Sequence, residues 1–362
     1  MSTSIEDPSS PDAEHPSDMG RVAVIGAGSW GTALAISLAT TGHSVRMWAR
    51  RDVSAQYMQA ARRNPTYLPG IHITDTIDIS ADLEWVVDTA DFWVIATPSH
   101  AVRSVAERLS TFTRDDLVVV SVAKGIENDT LLTTSQVLSR TLVDLPKSNI
   151  AVLYGPSHAE EVATNVPTAV VVASHNLETA RKVQGLFMSE RLRVYINRDL
   201  IGVEISGSVK NVMALAAGMA DGIGYGDNAK AALLTRGMAE IRRLGMAMGA
   251  DPTTFSGLAG IGDLVVTCNS RHSRNRYVGE QIGKGRTLHQ VQSEMDMVAE
   301  GVLTTRSTRA LARKYNVEMP ITEAVYGILF ENKKPREAVY ELMTRSPKHE
   351  DQFPDSLDGE PD

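Results

Sequence analysis

Gly26, Gly28 and Gly31 follow directly on the apolar run Val22-Ala-Val-Ile25, a spacing that brings backbone N–H groups onto a diphosphate. In such a turn the first glycine permits the tight bend and the second lets the backbone approach the pyrophosphate. The third lets a helix pack against the strand. Ser29, Trp30 and the helix-forming Ala33-Leu-Ala-Ile-Ser-Leu-Ala39 come next. They predict a helix whose N-terminal dipole favours negative charge. The strand-like Ser44-Val-Arg-Met-Trp-Ala49 ends in Arg50-Arg51, at the distance where an acidic residue usually holds a ribose 2′-hydroxyl. A carboxylate would repel a 2′-phosphate, whereas a guanidinium pairs with it. NADPH is therefore the expected cofactor, with NADH also possible.

Further along the chain, Lys210 falls inside the helix-like Val203-Glu-Ile-Ser-Gly-Ser-Val-Lys-Asn-Val-Met-Ala214. A lysine among small and apolar neighbours either snorkels to the surface or is held in a polar cleft. Asp263 stands in the glycine-rich Gly257-Leu-Ala-Gly-Ile-Gly-Asp-Leu-Val-Val-Thr-Cys268, whose backbone can approach a ligand closely. Ser273, Arg274 and Asn275 then form a compact anion-binding set at a helix start, with Ser273 as the cap. Cys268 is expected to be an inert buried thiol. His43, His100, His158 and His272 have no evident carboxylate partner in the sequence. No cluster of His, Cys and carboxylate residues has metal-ligand spacing, so no metal is expected.

Two kinds of texture position these residues. From Arg21 to about Asn197, short β-rich runs alternate with helical ones; Phe92–Ala96, Leu117–Val122, Ile150–Tyr154 and Ala169–Ala173 are continuously apolar. Such runs predict strands buried on both faces of a mostly parallel sheet, with ligand loops at its carboxyl edge. After about Leu200, Ala, Met, Leu, Arg and Gly recur at helical spacing. The expected fold class is α/β: a Rossmann-like mostly parallel sheet domain over 19–200, followed by an all-helical C-terminal domain over 201–347, with the active site between them.

Composition narrows the rest. The first eighteen residues carry five acids and 349–362 carry six, with no Lys or Arg in either stretch; without them the net charge of −8 becomes +3. Segments 1–18 and 348–362 are expected to be disordered acidic tails. Nothing in the body makes a nucleic-acid footprint. A single cysteine suits a reducing cytoplasm. No apolar run approaches the ~20 residues that span a bilayer, and no basic-then-apolar signal pattern opens the chain, so no membrane insertion is expected.

The motifs Gly26-Ala-Gly-Ser-Trp-Gly-Thr-Ala33, Ala123-Lys-Gly-Ile126, Gly155-Pro-Ser-His-Ala159, Glu204-Ile-Ser-Gly-Ser-Val-Lys-Asn211, Gly260-Ile-Gly-Asp263, Ser273-Arg-Asn275 and Val298-Ala-Glu-Gly301 occur in this order. With them the chain, from about Arg21 to Leu342, resembles the NAD(P)-dependent glycerol-3-phosphate dehydrogenases of the bacterial biosynthetic type. It departs from them at Ser206 and Ser208, where glycine and alanine are commoner. The resemblance implies reversible reduction of the small-molecule substrate dihydroxyacetone phosphate to sn-glycerol 3-phosphate for phospholipid synthesis, by a homodimer. It implies Lys210 as general acid/base with Lys124 and Asp263 as partners. Gly155, Ser157, Ser273, Arg274 and Asn275 would complete the substrate site. Ser29, Trp30, Arg50, Arg51, Lys124, Ala159, Arg274, Val298 and Glu300 would touch the cofactor. Other two-domain dehydrogenases, acting on 3-hydroxy acids, also use a helix-borne lysine; the Ser-Arg-Asn phosphate set separates the two readings. A nicotinamide-sensing module without turnover is a third reading, in which Lys210 has no activity to support.

Overall fold

The computed structural model describes residues 20–295, 299–347 and 350. The expected acidic tails, Glu350 apart, and Val298 lie outside the described residues. The strands are β1 (Arg21–Ile25), β2 (Ser44–Trp48), β3 (Arg63–Asn64), β4 (Leu68–His72), β5 (Asp78–Ser80), β6 (Phe92–Ile95), β7 (Val118–Ser121), β8 (Ile150–Tyr154), β9 (Thr168–Ala173) and β10 (Leu192–Asn197). Eight of them form one sheet in the order β10-β9-β8-β7-β6-β1-β2-β5, and β3 pairs with β4 separately. Neighbours in the large sheet run parallel except β8 and β9, which are antiparallel.

Successive residues of a strand point to opposite faces, and here both faces are covered. Val22 and Val24 of β1 enter one apolar cluster, with Leu34, Leu38 and Val183. Ala23 and Ile25 enter another, with Trp93, Val105 and Leu138. The chain reverses its strand order at β1, which has β2 on one side and β6 on the other. That is where an open α/β sheet opens its ligand crevice.

From Leu200 the chain is helical among the described residues. The helix Leu200–Ile223 is its axis, and Val209, Met213, Leu215 and Met219 join a separate apolar core with Ile241, Leu264 and Val278. This helix amends one expectation. By length and composition it could cross a membrane, but 89% of its apolar stretch is buried inside the protein. It is the core helix of the second half.

Candidate active site

A cleft of about 920 Å³ runs between the carboxyl edge of the sheet and the helical half. One end is the glycine turn. Gly26 has φ +124°, and a Cβ there would lie 2.7 Å from the carbonyl of Ala96, at the end of the neighbouring strand. A Cβ on Gly31 would lie 1.9 Å from the Gly26 oxygen, so helix Ser29–Thr40 can sit this close only on a glycine. Gly28 is different: a Cβ there would meet nothing within 4 Å. It caps the helix with no side-chain hydrogen bond and lines the cleft, which leaves room for a bulky anion at the helix N-terminus. Ser29, Trp30, Arg50 and Arg51 line the same end. Ser29 Oγ donates to the Tyr67 carbonyl at 2.5 Å. Gly31, Gly155 and Ala159 are not among the lining residues. Ala159 is 7% exposed and packs with Ala33 and Leu68, behind the wall.

At the middle of the cleft two lysines share one carboxylate. Lys210 Nζ donates to Asp263 Oδ1, and Lys124 Nζ donates to Asp263 Oδ2 at 2.7 Å and to the Gly155 carbonyl at 3.0 Å. Lys210 also donates to Thr267 Oγ1 at 2.7 Å. Asp263 is 1% exposed and Lys210 6%. Burial, more than anything else, brings the Lys210 pKa down from 10.5 to about 7; Asp263 opposes the shift and Lys124 adds to it. An ammonium and an amine thus coexist at neutral pH, which suits a group that must both give and take a proton.

The far end carries the anion-binding set. Ser273 caps helix Arg274–Gly283, its Oγ accepting from Arg276 N at 3.3 Å. Asn275 Oδ1 accepts from Gly301 N at 2.9 Å, and Arg274 stands exposed on the rim. Four glycines set this helix against the one bearing Lys210: Cβ atoms on Gly218 and Gly279 would lie 1.9 and 2.1 Å from the backbone oxygens of Arg276 and Leu215, with Gly222 and Gly283 similarly blocked. Glu300 lines the cleft and accepts from Ser99 N at 2.9 Å. Burial raises its pKa, while the Ser99 N–H and then Arg274 oppose the rise.

Similarity to known proteins agrees with this geometry. Residues 21–180 match the model for the NAD-dependent glycerol-3-phosphate dehydrogenase N-terminus, and 199–340 match that for its C-terminus. A Salinibacter ruber protein named glycerol-3-phosphate dehydrogenase (NAD(P)+) 2 is 59% identical over 336 residues, covering 93% of this chain and 98% of the relative. The chain belongs to the NAD-dependent glycerol-3-phosphate dehydrogenase family. A Prosthecochloris aestuarii relative named glycerol-3-phosphate dehydrogenase (NAD(P)+) is 55% identical over 91% of this chain and 99% of its own length. The crystal structure of glycerol-3-phosphate dehydrogenase from Coxiella burnetii superimposes with a TM-score of 0.86 at 40% identity, covering 90% of this chain and 99% of that one.

As a glycerol-3-phosphate dehydrogenase, the protein is an NAD(P)-dependent oxidoreductase, and its cleft holds groups that sequence reasoning passed over. Thr267 is the clearest. It accepts from Lys210 and donates to the Asp263 carbonyl at 2.6 Å. Its signal was the four-residue step from Asp263 along one helix face. Asn64, Tyr67, Thr97 and Asn211 also line the cleft, without a spacing pattern that marks them. Cys268 is buried, and burial pushes its thiol up to about 12, which fits the expected inert role.

Proposed function

We propose that this glycerol-3-phosphate dehydrogenase reversibly reduces dihydroxyacetone phosphate to sn-glycerol 3-phosphate, with NADPH preferred and NADH accepted. The observation that carries the reading is Lys210, buried on a shared carboxylate in the cleft that joins a dinucleotide turn to an anion-binding set. When bound, the reduced nicotinamide supplies the hydride. As charge grows on the ketone oxygen, the Lys210 ammonium donates its proton there. In the oxidative direction the neutral amine takes a proton from the substrate hydroxyl. Asp263 holds both lysines, and Lys124, tied to the Gly155 carbonyl, keeps a second positive charge beside the developing oxyanion.

Ser273, Arg274 and Asn275 would hold the phosphate, with the Arg274 fork suited to two of its oxygens. Gly155 and Ser157 complete the substrate side. For the cofactor, Gly26, Gly28 and Gly31 shape the diphosphate turn. Ser29 and Trp30 follow it, Arg50 and Arg51 take the 2′-phosphate, and Lys124, Arg274 and Glu300 face the nicotinamide end. Ala159 would act by packing, not by direct side-chain contact. We divide the chain into a dinucleotide-binding domain over 19–200 and a helical substrate domain over 201–347, a boundary that falls at the start of the axial helix. Supply of phospholipid synthesis, a cytoplasmic setting and a homodimer complete the proposal, on the strength of the family.

The test is an absorbance assay at the nicotinamide band with dihydroxyacetone phosphate and each cofactor in turn. Turnover of a non-phosphorylated 3-hydroxy acid, and none of dihydroxyacetone phosphate, would replace this reading with the alternative dehydrogenase. Arg50→Asp should raise the KM for NADPH by about tenfold or more while sparing NADH, as expected for loss of one charge-assisted pair. Equal effects on both cofactors would remove the 2′-phosphate assignment.

A further inference from the structure

The reaction above leaves one half-buried imidazole on the cleft wall unused. His158 lies on the loop after β8, between Ser157 and Ala159, and lines the cleft with Ser157, Lys210 and Asp263. Its Nε2 is buried and makes no hydrogen bond. Its ring meets that of His272, with centroids 5.8 Å apart and planes tilted by 49°. His272 belongs to the helical half, directly before Ser273 and Arg274, and it lines the same cleft. One imidazole from each half thus meets the other beside the anion-binding set.

A polar nitrogen closed off from solvent and without a partner is rare in a folded protein. His158 borders the cleft, so a turn of its ring presents this nitrogen to a ligand there. The groups around this cleft define the ligand's charge. Lys124, Lys210 and Arg274 are basic; Asp263 and Glu300 are acidic, and Asp263 is already engaged by both lysines. Glu160 and Glu161, on the following helix, also act on His158. Burial first, then the charge of Lys210, lowers the His158 pKa, so the ring meets a ligand neutral, with one N–H to offer.

Resting on the dehydrogenase reading, we propose that His158 is a specificity residue for the substrate's phosphate. Its Nε2–H donates to a phosphate oxygen from the sheet side while Ser273, Arg274 and Asn275 hold the group from the helical side, and His272 backs the ring. The phosphate then bridges the two halves.

The experiment compares the parent enzyme with His158→Phe and His158→Gln. Steady-state kinetics with dihydroxyacetone phosphate and with dihydroxyacetone give a selectivity ratio. His158→Phe should lower that ratio by about ten- to hundredfold, through KM for the phosphorylated substrate, as expected for one hydrogen bond to a charged group. His158→Gln, which keeps a donor, should recover part of it. An unchanged ratio in His158→Phe, or an equal loss on both substrates, would overturn the proposal. Calorimetric titration with inorganic phosphate reads the same contact without turnover. Weaker phosphate binding by His158→Phe supports the contact even if the parent enzyme proves inert toward dihydroxyacetone phosphate, an outcome that would sink the functional reading alone. Unaltered phosphate binding would remove the contact.

Discussion

Lys210 is a cation from which water has been stripped, and that loss sets its chemistry. Burial and the second cation, Lys124, both lower its pKa, and burial is the larger cause. With a pKa of about 7, the proton donor for reduction is lost as pH rises through neutrality. We therefore expect kcat/KM for ketone reduction to fall above about pH 7 and kcat/KM for alcohol oxidation to rise over the same range. Profiles measured in both directions check this, and parallel profiles would contradict it. The sign for stability follows. The folded pKa lies below the unfolded one, so the penalty for burying the ammonium is fully present below about pH 7 and is relieved between there and 10.5. Lys210→Ala should lower kcat/KM by about 10²- to 10⁴-fold, the usual range for a general acid, while NADPH still binds. Cofactor affinity falling in parallel with activity would count against the assigned role. At this scale the sequence was informative about residue types, since Lys210, Lys124, Asp263 and Arg274 could all be named from it. Their burial and Thr267's place between two of them depend on long-range packing that spacing does not reveal.

Elements were legible where one force dominates. β6, β7, β8 and β9 appear as continuous apolar runs because both of their faces are buried. The antiparallel pairing of β8 with β9 was not legible, because an apolar run looks the same in either direction. Glycine shows the same ambiguity: only the structure separates those that pack from those that are idle. A Cβ on Gly279 would sit 2.1 Å from the Leu215 carbonyl oxygen, whereas one on Gly185 would meet nothing within 4 Å. Both lie inside helices. Gly185→Ala should stabilise the protein by roughly 0.5–1 kcal/mol, from helix propensity and unfolded-state entropy. Gly279→Ala should destabilise it by about 1–3 kcal/mol, as overpacking does. It should also raise the KM for the phosphorylated substrate, because the displaced helix carries Arg274 and Asn275. Unfolding midpoints and KM values for the pair check the contrast; matching shifts in the two variants would refute it.

At the scale of the molecule, what couples the halves is a second buried carboxylate. Glu204 belongs to the helix that carries Lys210, is fully buried, and reaches the start of helix Thr134–Thr141 on the sheet side. It accepts from Thr133 Oγ1 at 2.8 Å, Thr134 Oγ1 at 3.0 Å, Ser135 N at 2.8 Å and Ser135 Oγ at 2.6 Å. Burial raises its pKa and these donors oppose the rise. Thr134 Oγ1 lies 3.3 Å from the Tyr154 hydroxyl, which donates to the carbonyl of Ala123, the residue before Lys124. One buried polar cluster thus lies between the Lys210 helix and the Lys124 loop. Removing the acceptor strands several buried donors at once. Glu204→Ala should therefore destabilise the protein by about 3–5 kcal/mol, and Glu204→Gln by less, since rotating hydroxyls can accept from the amide. Because this cluster packs the Lys210 helix beside the Lys124 loop, Glu204→Gln should lower kcat more than it raises the KM for NADPH. Denaturant unfolding together with steady-state kinetics separates the two effects. A Glu204→Gln enzyme that lost stability but kept its kcat would show a tie between the halves that plays no part in aligning the lysines.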